Sequence, residues 1–123
     1  MGIVRGEGYL TKRDQYALVY NKGSSWVSNV VVMKTLPNNL NLSRYGLSVS
    51  KRVGKAVTRN RVKRLLREIL RLTPLEPGWD IVFIARLRAA SANYAELEKS
   101  VVGLLSRARL LRREHEGVCL KIY

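Results

Sequence analysis

The sequence predicts an α+β sandwich in which helices cover one sheet, and three observations carry that reading. Residues 81–85 run Ile-Val-Phe-Ile-Ala without interruption, as a strand buried on both faces does. Residues 24–36 are rich in β-branched side chains and Trp, the composition of strands. Residues 57–72 and 93–112 repeat their apolar positions at helical spacing. The resulting order is helix, strands, helix, strand, helix.

Each element has its own local reason. Thr11 to Gly23 reads as a short helix, with Thr11 as cap, Asp14 in the first turn and Gly23 as the stop. Tyr16 and Tyr20, four apart, share one of its faces. Residues 24–36 make either one bent strand or two strands. Pro37-Asn38-Asn39 then signals a turn. Arg44 to Ser50 alternates: Leu47 and Val49 point one way, while Gly46, Ser48 and Ser50 leave the other side open. Pro74, Pro77 and Gly78 end the helix at 57–72. Asn93 with Glu96 resembles a capping box that opens the last helix. Its apolar stripe is Leu97, Val101, Leu104, Leu105, Ala108 and Leu111.

Composition bounds the function. The chain has 123 residues, the size of one domain spanning 1–123, with a core over about 9–112 and an unassigned tail at 113–123. It carries 23 Lys and Arg against 9 Asp and Glu, a formal net charge of +14. Such a charge repels itself in a compact state, and a polyanion is the simplest partner to offset it. Apolar residues make up 46% of the chain, too many for a disordered basic tail. Cys119 stands alone, so no disulfide closes within the chain, and the cytoplasm is the expected compartment. No apolar run is long enough to span a membrane, and the stretch from Met1 to Tyr9 does not read as a signal peptide.

The most informative stretch is residues 51–71, KRVGKAVTRNRVKRLLREILR. With Arg59 at zero, Lys63, Arg67, Asn60, Arg71 and Arg64 fall between about 40° and 140°, and Arg61 sits at the border near 200°. Val62, Leu65, Leu66 and Ile69 fall between about 240° and 340°. One face therefore packs on a sheet and the other presents a basic strip about 18 Å long. Arginine suits phosphate because its planar fork donates two bonds at once. Asn60 both donates and accepts, and so can meet a base edge or a 2′-hydroxyl. The competing reading is a solvated face held by pairs such as Arg64–Glu68. Glu68 is the single acid in the segment, too little to balance it.

Protein-borne chemistry finds little support. Gly54-Lys55 does not open a Walker A loop, because Val49 and Ala56 stand where Gly and Ser or Thr are needed. The nine acids are scattered, with Glu96/Glu98 and Glu114/Glu116 as the close pairs, and residues two apart on a helix face different ways. His115 is the single histidine, which excludes a two-histidine acid–base mechanism. No catalytic residue and no protein metal site is expected.

Residues 44–64, RYGLSVSKRVGKAVTRNRVKR, followed by Leu-Leu-Arg-Glu68, resemble the signature of the bacterial ribonuclease P protein family. Arg59-Asn60-Arg61 matches its RNR motif. The likeness extends to Tyr16, Tyr20 and Lys22-Gly23 before it and to Asp80–Arg86 after it, covering about residues 9–110. It implies a sandwich resembling the second domain of ribosomal protein S5, in the order α-β-β-β-α-β-α, with a left-handed crossover through the basic helix. It implies an RNA subunit that uses Mg²⁺ to hydrolyse precursor tRNA at the mature 5′ end, with no further protein partner required. Lys55, Arg59, Asn60, Arg61, Lys63, Arg64, Arg67 and Arg71 would dock on that ribonuclease P RNA. Tyr16, Tyr20, Lys34, Ser48, Ser50, Lys51 and Arg52 would lie in or near a cleft for the single-stranded 5′ leader.

Stacking on aromatic rings beside a positive groove is the physics that grips single-stranded RNA. The alternative is that the two tyrosines simply pack the first helix on the sheet. The family commonly carries Phe at both positions; Tyr keeps the stacking surface and adds a hydroxyl. Some members carry an aromatic where Lys34 stands, and Lys34 can meet a phosphate but cannot stack. Two other classes share the basic helix: a ribosomal or assembly protein that binds structured RNA, and a DNA-binding helix. The latter lacks a helix-turn-helix partner, since strand residues precede the helix and a proline-rich turn follows it.

Overall fold

A computed structural model of the chain describes residues 7–10 and 13–111. Thr11, His115, Cys119, Glu114, Glu116 and the tail at 113–123 lie outside the described residues. The elements are β1 (Glu7–Tyr9), α1 (Arg13–Lys22), β2 (Ser24–Val27), β3 (Val31–Pro37), β4 (Ser43–Ser48), α2 (Ala56–Arg71), β5 (Trp79–Ala85) and α3 (Tyr94–Arg107). Short 3₁₀ turns at Lys51–Val53 and Leu87–Ser91 precede α2 and α3. The predicted order is present, and β1 is added before it.

The five strands lie in the order β1-β4-β5-β3-β2. β1–β4 and β4–β5 are parallel; β5–β3 and β3–β2 are antiparallel. The β-rich stretch at 24–36 is thus two strands. They split at Ser28, whose amide and hydroxyl both donate to the Val31 carbonyl at 2.9 Å. β5 is central and buried along most of its length, as its apolar run requires.

Helices cover both faces of the sheet. α2 and α3 share one face, where Val62, Leu66, Ile69 and Leu70 meet Leu97, Val101, Leu104 and Leu105 over Met33, Ile81 and Phe83. α1 lies on the other face, anchored by buried Val19 against Leu10, Val82, Leu36 and Ile84. The buried arc of α2 is wider than expected, because Leu70 also turns inward while Leu65 is half-buried.

Two boundaries move. The capping box is present: Asn93 Oδ1 accepts from the Glu96 amide at 2.9 Å, and Glu96 Oε1 accepts from the Asn93 amide at 3.3 Å. The helix stops at Arg107 rather than near 112, because the chain must turn back there. Arg109 takes φ 62°, the Leu110 amide bonds to the Leu105 carbonyl, and Leu111 bridges to Leu75. At the other end of the sheet, Asp80 is buried and accepts Arg44 Nε at 2.8 Å, Arg44 Nη2 at 2.7 Å and Asn38 Nδ2 at 2.9 Å. This network ties β4, β5 and the turn after β3 into one register. No described helix is long and apolar enough to cross a membrane.

Candidate nucleic-acid interface

The crossover from β4 to β5 carries the basic strip. α2 packs through its apolar arc and turns Asn60, Arg64, Arg67 and Arg71 outward, all exposed. Its start has no capping side chain: Lys55 occupies the cap position with extended backbone and no acid stands in the first turn. The first amides of α2, with their positive helix end, therefore face an exposed Lys55 rather than a carboxylate.

The Arg59-Asn60-Arg61 triplet is divided by the helix. Arg59 Nε donates to the Gly54 carbonyl at 3.1 Å, holding the turn that leads into α2. Arg61, at the border of the strip in the helical projection, reaches away from it. Its Nη2 donates to the Ala92 carbonyl at 2.7 Å and Nη1 to the Ala90 carbonyl at 3.3 Å. Arg61 thus clamps the Leu87–Ser91 turn to α2. Glu68 pairs with Arg71 at 2.7 Å, one turn on, and not with Arg64 as the sequence suggested. Both partners are exposed, so the pair contributes little.

On the opposite face, the hydroxyl end of Tyr16 closes against Gly46. A Cβ at residue 46 would stand 2.3 Å from the Tyr16 hydroxyl and 2.6 Å from its ring carbon Cζ. Only glycine admits the ring there. The Tyr16 hydroxyl donates to the Leu10 carbonyl at 3.4 Å. Burial holds the phenol above its ordinary pKa, against the smaller opposing pulls of the Leu47 backbone and the Arg67 charge. Tyr16 is therefore a neutral, half-buried ring. Tyr20, its neighbour on the helix, is 38% exposed.

Beside these rings the sheet offers a row of which the sequence reading singled out only Ser48. Ser48, Ile84, Val32 and Val27 are successive register partners on the α1 face. The first three are half-buried and Val27 is exposed. The row is flat and apolar, with a hydroxyl at one end. Its signal was in the β-branched composition, but only the register aligns it. The adjoining row places Lys34 between Val82 and Ser25, and Lys34 Nζ donates to Ser25 Oγ at 2.9 Å. Ser50, Lys51 and Arg52 are exposed just beyond β4.

The two predicted surfaces meet. β1 pairs with β4 only as far as Tyr45, and the Leu10 amide bonds to the Tyr45 carbonyl. Beyond that point the outer side of β4 opens into a pocket of about 260 Å³. Tyr16, Gly46 and Leu47 line it together with Lys63 and Arg67 from α2. An aromatic ring and two cations from opposite faces of the sheet thus converge on one edge. Among the described residues no three His, Cys, Asp or Glu side chains come together as a metal site would require.

A five-stranded mixed sheet with two helices on one face and one on the other places the chain in a class of small α/β proteins with solved members. The structure of the Staphylococcus aureus RNase P protein superposes with a TM-score of 0.76 at 28% identity, covering 87% of this chain and 98% of that one. That of the Thermotoga maritima RNase P protein gives 0.74 at 30% identity, covering 80% and 96%. The ribonuclease P protein component of Dehalococcoides mccartyi strain CBDB1 is 53% identical over 112 residues, 91% of this chain and 93% of its own length. That of Clostridioides difficile strain 630 is 44% identical over 101 residues, 80% of this chain and 89% of its own length. The sequence model of the family described as Ribonuclease P matches residues 5–109. The chain belongs to the ribonuclease P protein family.

Proposed function

We propose that this chain is the RNA-binding protein subunit of a ribonuclease P, which assists a catalytic RNA in removing the 5′ leader from precursor tRNA. The observation that carries the reading is the convergence of Tyr16 with Lys63 and Arg67 at the open edge of β4. A strand leaving an RNA docked on α2 reaches the tyrosine cleft around that edge past Lys63 and Arg67, where no carboxylate lines the pocket. Asn60, Lys63, Arg64 and Arg67 meet the RNA subunit from the strip. Lys55 adds charge at the uncapped helix start, and Arg71 does so at the far end. Arg59 and Arg61 hold the ends of the docking surface in place through the backbone carbonyls they bind. Tyr16 and Tyr20 stack leader bases, the Ser48–Val27 row gives a flat floor, and Lys34, Ser50, Lys51 and Arg52 meet phosphate and sugar.

The chain's own carboxylates do not supply the hydrolytic step. Asp80, the one buried carboxylate among the described residues, is engaged by Arg44 and Asn38. The RNA subunit would hold the Mg²⁺, which would supply Lewis-acid activation of water there. The protein's part is to screen phosphate repulsion and to position the leader, which matters most when Mg²⁺ is scarce.

The test is cleavage of precursor tRNA by a bacterial ribonuclease P RNA at low Mg²⁺, with and without the protein. Strong stimulation at the mature 5′ end is expected. No stimulation, with RNA from a related source also tried, overturns the reading. Gly46→Ala and Tyr16→Ala sharpen it: each should weaken leader-bearing precursor more than mature tRNA. Equal losses for both would return Tyr16 to a packing role.

A further inference from the structure

A second cationic groove lies where the β2–β3 turn, the Leu87–Ser91 turn and α3 meet. One wall is a single helical stripe, Glu96, Lys99, Ser100, Gly103 and Arg107, at spacings of three and four. Ser28, Asn29 and Val30 face it, Arg88 and Leu104 complete the lining, and the space is about 470 Å³.

The fold already arranges the charges. Glu96 is spent twice: Oε1 accepts from the Asn93 amide and Oε2 from Arg88 Nη2 at 3.4 Å. Arg107 Nη1 donates to the Val27 carbonyl at 3.4 Å and Arg86 Nη1 to the Ser28 carbonyl at 2.9 Å. Two guanidinium groups thus brace the β2–β3 turn, each with further N–H groups left to donate. Lys99 is exposed and has no hydrogen bond or ion pair among the described residues. The one carboxylate lining the groove is engaged by Arg88, and Lys99 and Arg107 have no acidic partner among the described residues.

Gly103 is an independent observation. Glycine inside a helix is destabilising relative to alanine. A Cβ at this position would meet nothing within 4 Å, so no described neighbour demands its absence. Bare backbone on the floor of a cationic groove suits the close approach of another chain.

We propose that this groove is a second RNA-docking surface, which takes the phosphodiester backbone of the ribonuclease P RNA apart from the α2 strip. The proposal rests on the RNA-binding reading above. A polyanion is favoured by the unneutralised cations and by a floor of small residues that admits a backbone. The RNA subunit is favoured over the leader because α3 shares its sheet face with α2, opposite the tyrosine cleft. Arg61 also ties the Leu87–Ser91 turn to α2 through two bonds, so the turn that carries Arg88 is fixed to the helix that carries the strip.

The experiment is binding of the full chain to ribonuclease P RNA across a salt series, with mature tRNA and poly-glutamate as parallel probes. Lys99→Gln should lower the slope of log affinity against log salt by about 0.7–0.9. Gly103→Leu changes no charge and favours the helix. It should raise the thermal midpoint yet weaken binding to the RNA subunit several-fold, with Gly103→Ala falling between. Wild-type affinity for Gly103→Leu together with an unchanged slope for Lys99→Gln overturns the proposal. Losses confined to mature tRNA or to poly-glutamate overturn it as well, by giving the groove a different occupant. Failure of the wild type to bind RNA overturns the broader function and this proposal together, whereas silent groove variants beside a tight wild type overturn this proposal alone.

Discussion

α3 begins at Asn93, whose side chain and amide exchange two hydrogen bonds with Glu96. α2 begins at Lys55, which makes no capping bond and has no acid in the turn that follows. The two helices pack on the same face through similar apolar stripes. Yet α2 carries six cations and one acid along its length, whereas α3 carries two of each. A missing cap leaves about 1 kcal/mol of helix stability unrealised. Like charges on neighbouring turns cost more. α3 is built to hold itself together; α2 is held by its buried face and keeps its charge exposed. The difference teaches that packing rather than local sequence keeps α2 helical.

The sharpest way to break this comparison is inside the arginine triplet. Arg61→Ala removes the donor to the Ala90 and Ala92 carbonyls, and denaturant unfolding should show a loss of about 1–3 kcal/mol. Arg64→Ala, on the exposed strip, should stay within about 0.5 kcal/mol of wild type. It should instead lower the salt slope of RNA binding by about 0.7–0.9. Equal stability losses would erase the distinction between the clamp and the strip.

Exchanging the logic of the two caps gives the next effect. Lys55→Asp places an acceptor at the start of α2 and should add about 1 kcal/mol of stability. The same change should weaken RNA binding, because it sets a carboxylate beside the strip. Asn93→Ala should remove about 1 kcal/mol from α3. Thermal melts of the two variants would move in opposite directions; parallel shifts would show that α2 is not short of a cap.

The smallest effect is expected at Glu68. Its pair with Arg71 is exposed on both sides, so Glu68→Gln should cost only about 0.2–0.5 kcal/mol. Affinity for RNA should rise, since the one acid of α2 is gone. A fall in affinity would mean that Glu68 orients Arg71 for its contact rather than competing for it.

The legible parts of the fold were those with a strong local signature. The run at 81–85, the stripe of α2 and the Asn93–Glu96 box all reported correctly because burial on two faces, helical periodicity and capping leave marks within a few residues. β1 did not, because three edge residues containing Gly8 have no alternation to read, and their partner is Ser43–Tyr45 far along the chain. The end of α3 was misplaced because Leu111 continues the apolar spacing while serving a bridge to Leu75. Of the site, the face shared by Tyr16 and Tyr20 and the basic strip were legible. The inward turn of Arg61 was marked only by its border angle.

By itself the sequence determined the basic helix, the central strand, the balance of charge that calls for a polyanion, and the likeness to one family. These follow from composition and from periods of two and 3.6 residues, which are properties of a short window. Only the tertiary structure decided that Tyr16 rests on Gly46, that Lys63 and Arg67 share its pocket, and that Arg59 and Arg61 serve backbone carbonyls. Apart from the local bond of Arg59 to Gly54, those relations join residues far apart in the chain, and the parallel pairing of β4 with β1 and β5 fixes the edge where Tyr16 meets α2. Register and packing are collective outcomes of burying one core, and no local stretch of sequence encodes them.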